Sequence, residues 1–337
     1  MAEKIIRSFL ELAYSPVCNY DFSLIKGDQH FQALTSTSNL YMITQRNELS
    51  FDPLTFASGP ENQAFLICGI RQKGNPSLLK VEIPLYQPNL AKEPGRDLKF
   101  HFEFTLPKPD LTSIDDPLHN VRNLFITYHD NTFVGWLSPE ILIQNYLNGS
   151  IEAMIEGPIE EFIKYKVHYV GKATEQNVWK RLTGHSSLQD ILSLEFPLHY
   201  GTLPTHEIAI LFFQFREYFQ FHTVKSSEKI TDDIIDSALG RSLPSGKTIS
   251  LDAEKAFIQA MQPKYNKEFY INYPKSKDGL YKYSYDGYSF QIYSNIVLEY
   301  KNGTIKGMPD FTRADAIVIT RDQPSKIIKY SDASSNK

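Results

Sequence analysis

The run from Ile208 to Phe215 (Ile-Ala-Ile-Leu-Phe-Phe-Gln-Phe) is apolar at every position but Gln214, and polar sequence bounds it on both sides. A short apolar run of this kind reads as a central strand buried in a sheet, which other elements must cover. Its neighbours supply them. Tyr165 to Val170 has strand character and Gly171 closes it. A helical stripe from about Glu175 carries Val178, Leu182, Leu188, Ile191 and Leu192, with Gly184 as a breaker. Ser187, with Asp190 three positions on, has the form of a capping box for a second helix. Asp252 reads as the cap of a helix from Ala253 to Met261, which Pro263 stops. Residues 164 to 267 are thus expected to form a small α/β unit, in the order strand, helix, helix, strand, helix.

The flanks are of a different kind. From Asn19 to about Ile143 the pattern is mostly strand-like. Phe65 to Ile70 is a short apolar run, and Lys99 to Phe104 alternates with period two. Leu124–Tyr128 and Thr132–Trp136 surround His129-Asp130-Asn131, a hairpin signal, while Pro107, Pro109 and Pro117 with Asp110, Asp115 and Asp116 mark a loop. The first sixteen residues read as a short amphipathic helix rather than a signal peptide. A helix is expected from Pro139 to Tyr146, ended by Asn148-Gly149. Beyond Lys275, Asp286-Gly287 and Asn302-Gly303 predict two hairpins, and Ser331 to Lys337 reads as a frayed end. The predicted organisation is α+β in three consecutive segments. These are a β-rich domain at 1–150, an α/β domain with an antiparallel sheet flanked by helices at 151–272, and a β-hairpin-rich region at 273–337.

A chain of 337 residues exceeds what one core usually serves. Its net charge of −4 argues against binding a polyanion by bulk electrostatics, so such binding would need a local basic patch, a metal ion or both. Lys172, Lys180, Arg181, Lys255, Lys264 and Lys267 lie close enough in sequence to form that patch. Cys18 and Cys68, far apart and without a CxxC partner, suggest a reducing compartment and a cytoplasmic protein. No apolar run reaches the roughly 18 residues that a membrane span needs. His199, His206 and Glu207 lack metal-site spacing. Gly246-Lys247-Thr248 ends like a phosphate loop, but Arg241 stands where the first glycine is required and no apolar strand feeds it.

Three features of the middle unit carry chemistry. Tyr169-Val-Gly-Lys172-Ala places an aromatic residue at a strand end, followed by glycine and lysine. Arg181 and His185 are four apart, on one face if the helix persists. Glu254 is followed by Asn266 twelve residues later. Together they suit phosphodiester hydrolysis. One carboxylate, Glu254, with water and phosphate oxygens can suffice for Mg²⁺. Arg181 can clamp a phosphate oxygen and stabilise developing charge. Either Tyr169 or His185 can take the proton of the attacking water, and Lys172 adds positive charge beside the phenol.

Tyr-Val-Gly-Lys-Ala, Arg-Leu-Thr-Gly-His and Glu-Lys-Ala…Gln-Pro-Lys-Tyr-Asn, in that order, resemble the GIY-YIG nuclease domain over about a hundred residues. The resemblance implies that Tyr169 is the tyrosine of the second half-motif, that Arg181 and His185 are the helix pair, that Glu254 is the metal ligand for Mg²⁺ or Mn²⁺, and that Asn266 closes the site. It also implies a first half-motif, Gly-Ile-Tyr, on a strand before Tyr169, and no such string is found there. Tyr165 is the nearest tyrosine, and Tyr146 qualifies only if an insertion intervenes. The second tyrosine is unassigned from sequence.

The expectation is a metal-dependent endonuclease acting on nucleic acid, with DNA favoured. By family analogy alone, its setting would be restriction-like or anti-phage. The first segment would supply target choice, a protein contact or self-association. The competing expectations are a non-catalytic binding module on a decayed nuclease scaffold and an oligomeric assembly component.

Overall fold

The computed structural model describes the chain except for residues 1–2, 60–62, 106–115, 175, 224–230, 233–234, 237–238, 242, 277, 284 and 331–337. The architecture is mixed α and β with two sheets, in two compact units. The first unit holds Met1–Arg46, Lys164–Phe196 and Pro204–Lys337, and the second holds Asn47–Ile163 with Pro197–Leu203. The three consecutive segments expected from the sequence are therefore regrouped. The chain leaves the first unit after Arg46 and re-enters it at Lys164, because strands far apart in sequence pair in one sheet.

The first unit opens with β1 (Glu3–Leu12), β2 (Val17–Cys18), the helices α1 (Asn19–Ile25) and α2 (Gln29–Thr35), and β3 (Leu40–Gln45). The second unit then forms from β4 (Leu49–Ser58), β5 (Ala64–Gln72), β6 (Leu78–Pro84), β7 (Leu98–Phe104), β8 (Val121–Tyr128), β9 (Phe133–Leu137), α3 (Pro139–Leu147), β10 (Met154–Glu156) and α4 (Ile159–Phe162). Its antiparallel strands run in the order β10-β6-β5-β4-β8-β7, with β9 on β8. Back in the first unit come β11 (Lys164–Lys172), α5 (Val178–Leu182), α6 (Ser186–Leu194), α7 (Pro204–Glu207) and β12 (Ile208–Thr223). They are followed by α8 (Gly246–Met261), β13 (Gly287–Ile292), β14 (Ile296–Tyr300), β15 (Gly303–Gly307), β16 (Ala316–Thr320) and β17 (Lys326–Ile328). This sheet has ten strands among the described residues, in the order β15-β14-β11-β3-β12-β1-β13-β16-β17, with β2 on β12.

Several expectations are corrected by this topology. The sheet of the first unit is mixed rather than antiparallel, since β1 runs parallel to β13 and β11 parallel to β14. Glu3–Leu12 form strand β1, not a helix, because pairing with β12 on one side and β13 on the other outweighs their helical spacing. Asp286-Gly287 makes no hairpin. A short 3₁₀ helix, Leu280–Tyr283, precedes it, and β13 takes β1 and β16 as partners. Asn302-Gly303 does join an antiparallel pair, β14 and β15. Most of the loop expected around Pro107 to Pro117 (residues 107 to 115), the start of the stripe at Glu175 and the tail at 331–337 lie outside the described residues.

Two apolar clusters cover the two faces of the first unit's sheet. Ile249, Ala253, Ala256, Phe257 and Met261 of α8 pack with Leu40, Met42, Tyr165, Val167 and Val170 on one face. Val178, Leu182, Leu188 and Ile191 pack with Tyr41, Ile43, Ile210 and Phe212 on the other. Burying one such phenylalanine or leucine contributes about 1.5–3 kcal/mol, so this double covering anchors β3, β11 and β12 as the rigid base of the site.

Candidate active site

Strands β3 and β11 are antiparallel neighbours, with Tyr41 opposite Gly171 and Tyr169 opposite Ile43. That register sets the two tyrosines diagonally on one face, with ring centroids 6.0 Å apart. Both rings lie over Gly171. A Cβ there would fall 2.5 Å from Cε1 of Tyr169, 2.6 Å from Cζ of Tyr41 and 2.7 Å from its Oη. The glycine of the Tyr-Val-Gly string is thus required by the rings above it.

Arg181 and His185 do not share a helix. Helix α5 ends at Leu182, and Gly184 has φ +79°, a left-handed turn that glycine adopts without strain. His185 then serves as the N-cap of α6, in place of the expected Ser187. Its Nδ1 accepts the Leu188 N–H at 3.2 Å, so in the neutral ring the proton is on Nε2, which donates to Tyr41 Oη at 2.8 Å. The hydrogen bond between His185 and Tyr41 thus runs in one direction, with the imidazole as donor. The Tyr41 ring packs 6.0 Å from that of Tyr169, and Tyr41 opposes the rise of the Tyr169 phenol pKa. Burial and then the Arg181 charge push the His185 imidazole down to about 4. With its single free lone pair engaged by a backbone N–H, neutral His185 is a donor to Tyr41 and not the general base.

A cleft of about 550 Å³ opens in front of these residues, lined among others by Tyr169, Lys180, Arg181, His185, Glu254 and Tyr270. Of the paired tyrosines Tyr169 faces it, whereas Tyr41 is fully buried behind. Burial and the Glu254 charge hold the Tyr169 phenol above its ordinary value, against the opposing pull of Tyr41 and Arg181. Glu254 projects from the middle of α8, which starts at Gly246 with Ser245 as its cap. Asp252 is therefore an interior residue of that helix, whose carboxylate accepts the Leu280 N–H. The Glu254 side chain is mostly buried, with Lys172 Nζ 2.7 Å from its Oε2. Burial raises the Glu254 pKa and the Lys172 charge opposes the rise.

Asn266 spends its side chain on the backbone. Its Oδ1 accepts the Val170 N–H at 2.9 Å and its Nδ2 donates to the Val170 carbonyl at 2.8 Å. It splints the strand beside Tyr169. Tyr165 is not at the site: it is 1% exposed in the core under α8, with the Arg46 guanidinium 5.8 Å from its ring. Of the expected basic patch, Lys180, Arg181 and Lys267 line the cleft. Lys172, Lys255 and Lys264 are ion-paired with Glu254, Asp278 and Glu195.

Sequence reasoning missed Tyr41 and Tyr270. Leu40-Tyr-Met-Ile43 has an apolar, strand-like character, but nothing local links it to a partner 144 residues away at His185. Among the described residues no three His, Cys, Asp or Glu side chains converge on a metal position. Glu254, a buried carboxylate at the cleft wall, suits a hard cation that keeps most of its waters and takes its remaining ligands from substrate oxygens.

No family model matches the chain, and no curated protein and no solved structure is recognisably similar to it. Among the described residues no helix is long and apolar enough to cross a membrane.

Proposed function

We propose that the protein is a divalent-metal-dependent endonuclease of GIY-YIG type that hydrolyses DNA phosphodiester bonds, its nuclease unit interrupted by an inserted β domain. The observation that carries this reading is the pair Tyr41 and Tyr169 on adjacent antiparallel strands above Gly171, facing Arg181 and Glu254. On this reading Leu40-Tyr41-Met42 stands where the first half-motif is expected, and Tyr165 and Tyr146 drop out. The setting, restriction-like or defensive, rests on the family resemblance.

The division of labour follows from the cleft. Arg181 is placed to donate to a non-bridging phosphate oxygen and to stabilise charge as the scissile P–O bond breaks. Tyr169 is the group placed to take the proton of the attacking water, which requires its phenolate. Arg181 and the Tyr41 O–H favour that form, while burial and Glu254 oppose it. His185 holds Tyr41 as a donor. Glu254 would hold Mg²⁺ or Mn²⁺, which when bound supplies Lewis acidity at the phosphate and lowers the pKa of coordinated water.

One observation favours a binding module instead: the Lys172 ammonium lies against the carboxylate that a metal would use. Cleavage of supercoiled plasmid with Mg²⁺ or Mn²⁺, beside calorimetric titration of Mn²⁺, separates the two. Cutting and metal binding that Glu254→Ala abolishes support the nuclease. Absence of both in the wild-type protein supports the binding module.

A further inference from the structure

Tyr165 and Tyr169 are four apart on β11, a spacing that puts both side chains on the same face of a regular strand. Yet Tyr165 is in the core under α8 and Tyr169 packs with Tyr41 and His185 on the other face. The parity changes at one residue. Val167 pairs with Thr44 and Tyr169 with Ile43, which leaves His168 as the extra residue of a β-bulge. Val167 and Val170, three apart, consequently share the α8 face.

We propose that His168 is the positioning residue that turns Tyr169 towards the cleft, through a bulge held open by its own buried side chain. His168 is 1% exposed. Its Nε2 lies 3.0 Å from Gln45 Oε1, and Gln45 spends its Nε2 on the Glu207 carboxylate at 3.1 Å and on the Phe196 carbonyl at 2.9 Å. Gln45 Oε1 is thus the acceptor and His168 Nε2–H the donor. The His168 carbonyl accepts the Tyr265 N–H at 3.0 Å, and Tyr265 packs edge-to-face on the imidazole at 6.0 Å. Tyr265 is tied in turn to Glu195, whose Oε1 accepts its O–H at 2.8 Å and stands 3.9 Å from His168 Nδ1. Lys264 Nζ closes this group at 2.6 Å from the same oxygen.

The segment Pro263 to Asn266 therefore grips β11 on both sides of Tyr169. Tyr265 takes the carbonyl before it and Asn266 both backbone groups of the residue after it. What this leaves to His168 is the register. Without an imidazole on Gln45 the extra residue is held only by the Tyr265 N–H on its carbonyl, and a return to regular pairing would send Tyr169 to the Tyr165 face.

The proposal rests on the nuclease reading only for the importance of Tyr169, and its test reads the position of that ring directly. 3-Fluorotyrosine placed at position 169 of the full chain reports its surroundings by ¹⁹F NMR, with neither metal nor DNA present. His168→Leu is expected to move the resonance away from its wild-type position and, with Mn²⁺, to lower kcat on supercoiled plasmid by about 100-fold with KM within about twofold. His168→Gln, which keeps an N–H for Gln45, is expected to retain the resonance and recover kcat to within about tenfold of wild type. Gln45→Met removes the acceptor from the other side and serves if His168→Leu does not fold. A folded His168→Leu or Gln45→Met protein with an unmoved resonance overturns the proposal. A moved resonance in a protein that never cuts DNA sustains the positioning role and removes the nuclease reading instead.

Discussion

Tyr41 and Tyr169 meet above Gly171 although Asn47–Ile163 of the second unit lie between them in the chain, and the Tyr41 hydroxyl links its ring to the His185 Nε2–H. Tyr41→Phe removes that link and leaves the ring. Its expected effect is a loss of plasmid cleavage of about 100-fold, with folding intact by circular dichroism. Tyr165→Phe, in the core, should stay within about twofold of wild type. Equal rates for Tyr41→Phe and wild type would remove Tyr41 from the site.

A methyl group at position 171 has no room. Gly171→Ala should shift both tyrosine rings and cost about 1–3 kcal/mol in urea unfolding, since the added methyl meets the buried Tyr41 ring as well as the half-buried Tyr169 ring. Cleavage should fall by more than Tyr41→Phe alone. A variant as stable and as active as wild type would contradict the contact geometry.

Lys172 sustains the ionised state of Glu254, so Lys172→Met should raise the Glu254 pKa further. A divalent cation requires the carboxylate. The pH at which Mn²⁺ half-saturates the protein, followed calorimetrically, should therefore move upward in the variant. An unchanged midpoint would place the metal elsewhere.

The His185 imidazole titrates near 4 in the folded protein against its ordinary 6.5. Above about pH 6.5 it is neutral in both states, and its contribution to stability is fully present. As pH falls from 6.5 towards 4 the unfolded chain takes up a proton that the folded chain refuses, so stability drops by up to about 1.4 kcal/mol per pH unit. Asp252, pushed up to about 6 by burial, has the opposite sign below that pH, so the difference between two proteins is the quantity to measure. His185→Asn keeps an N-cap acceptor without the titration. Its urea stability should decline less steeply than wild type between pH 6.5 and 4, and parallel curves would refute the assignment.

The local chemistry of the site was legible in the sequence wherever it is carried by contiguous residues. Tyr169, Gly171 and Lys172 follow from one strand end, Arg181 and His185 from one short stretch, and Glu254 and Asn266 from a helix and the turn after it. Periodicity also placed β11, α6 and the start of β12 to within a few residues, although β12 runs on from Phe215 to Thr223. Each of these is decided by neighbours in the chain, through side-chain alternation, caps and breakers.

Tertiary structure decided the rest. No local rule pairs Tyr41 with Gly171, because strand partners are chosen by burial of both faces of a sheet and not by distance along the chain. Nor does any local rule send Tyr165 to the core and Tyr169 to the cleft, since their spacing predicts a common face until a bulge at His168 separates them. The direction of the His185–Tyr41 hydrogen bond likewise depends on the Leu188 N–H that occupies the other imidazole nitrogen. Sequence set which groups the site has; pairing, bulge and cap set which way they face.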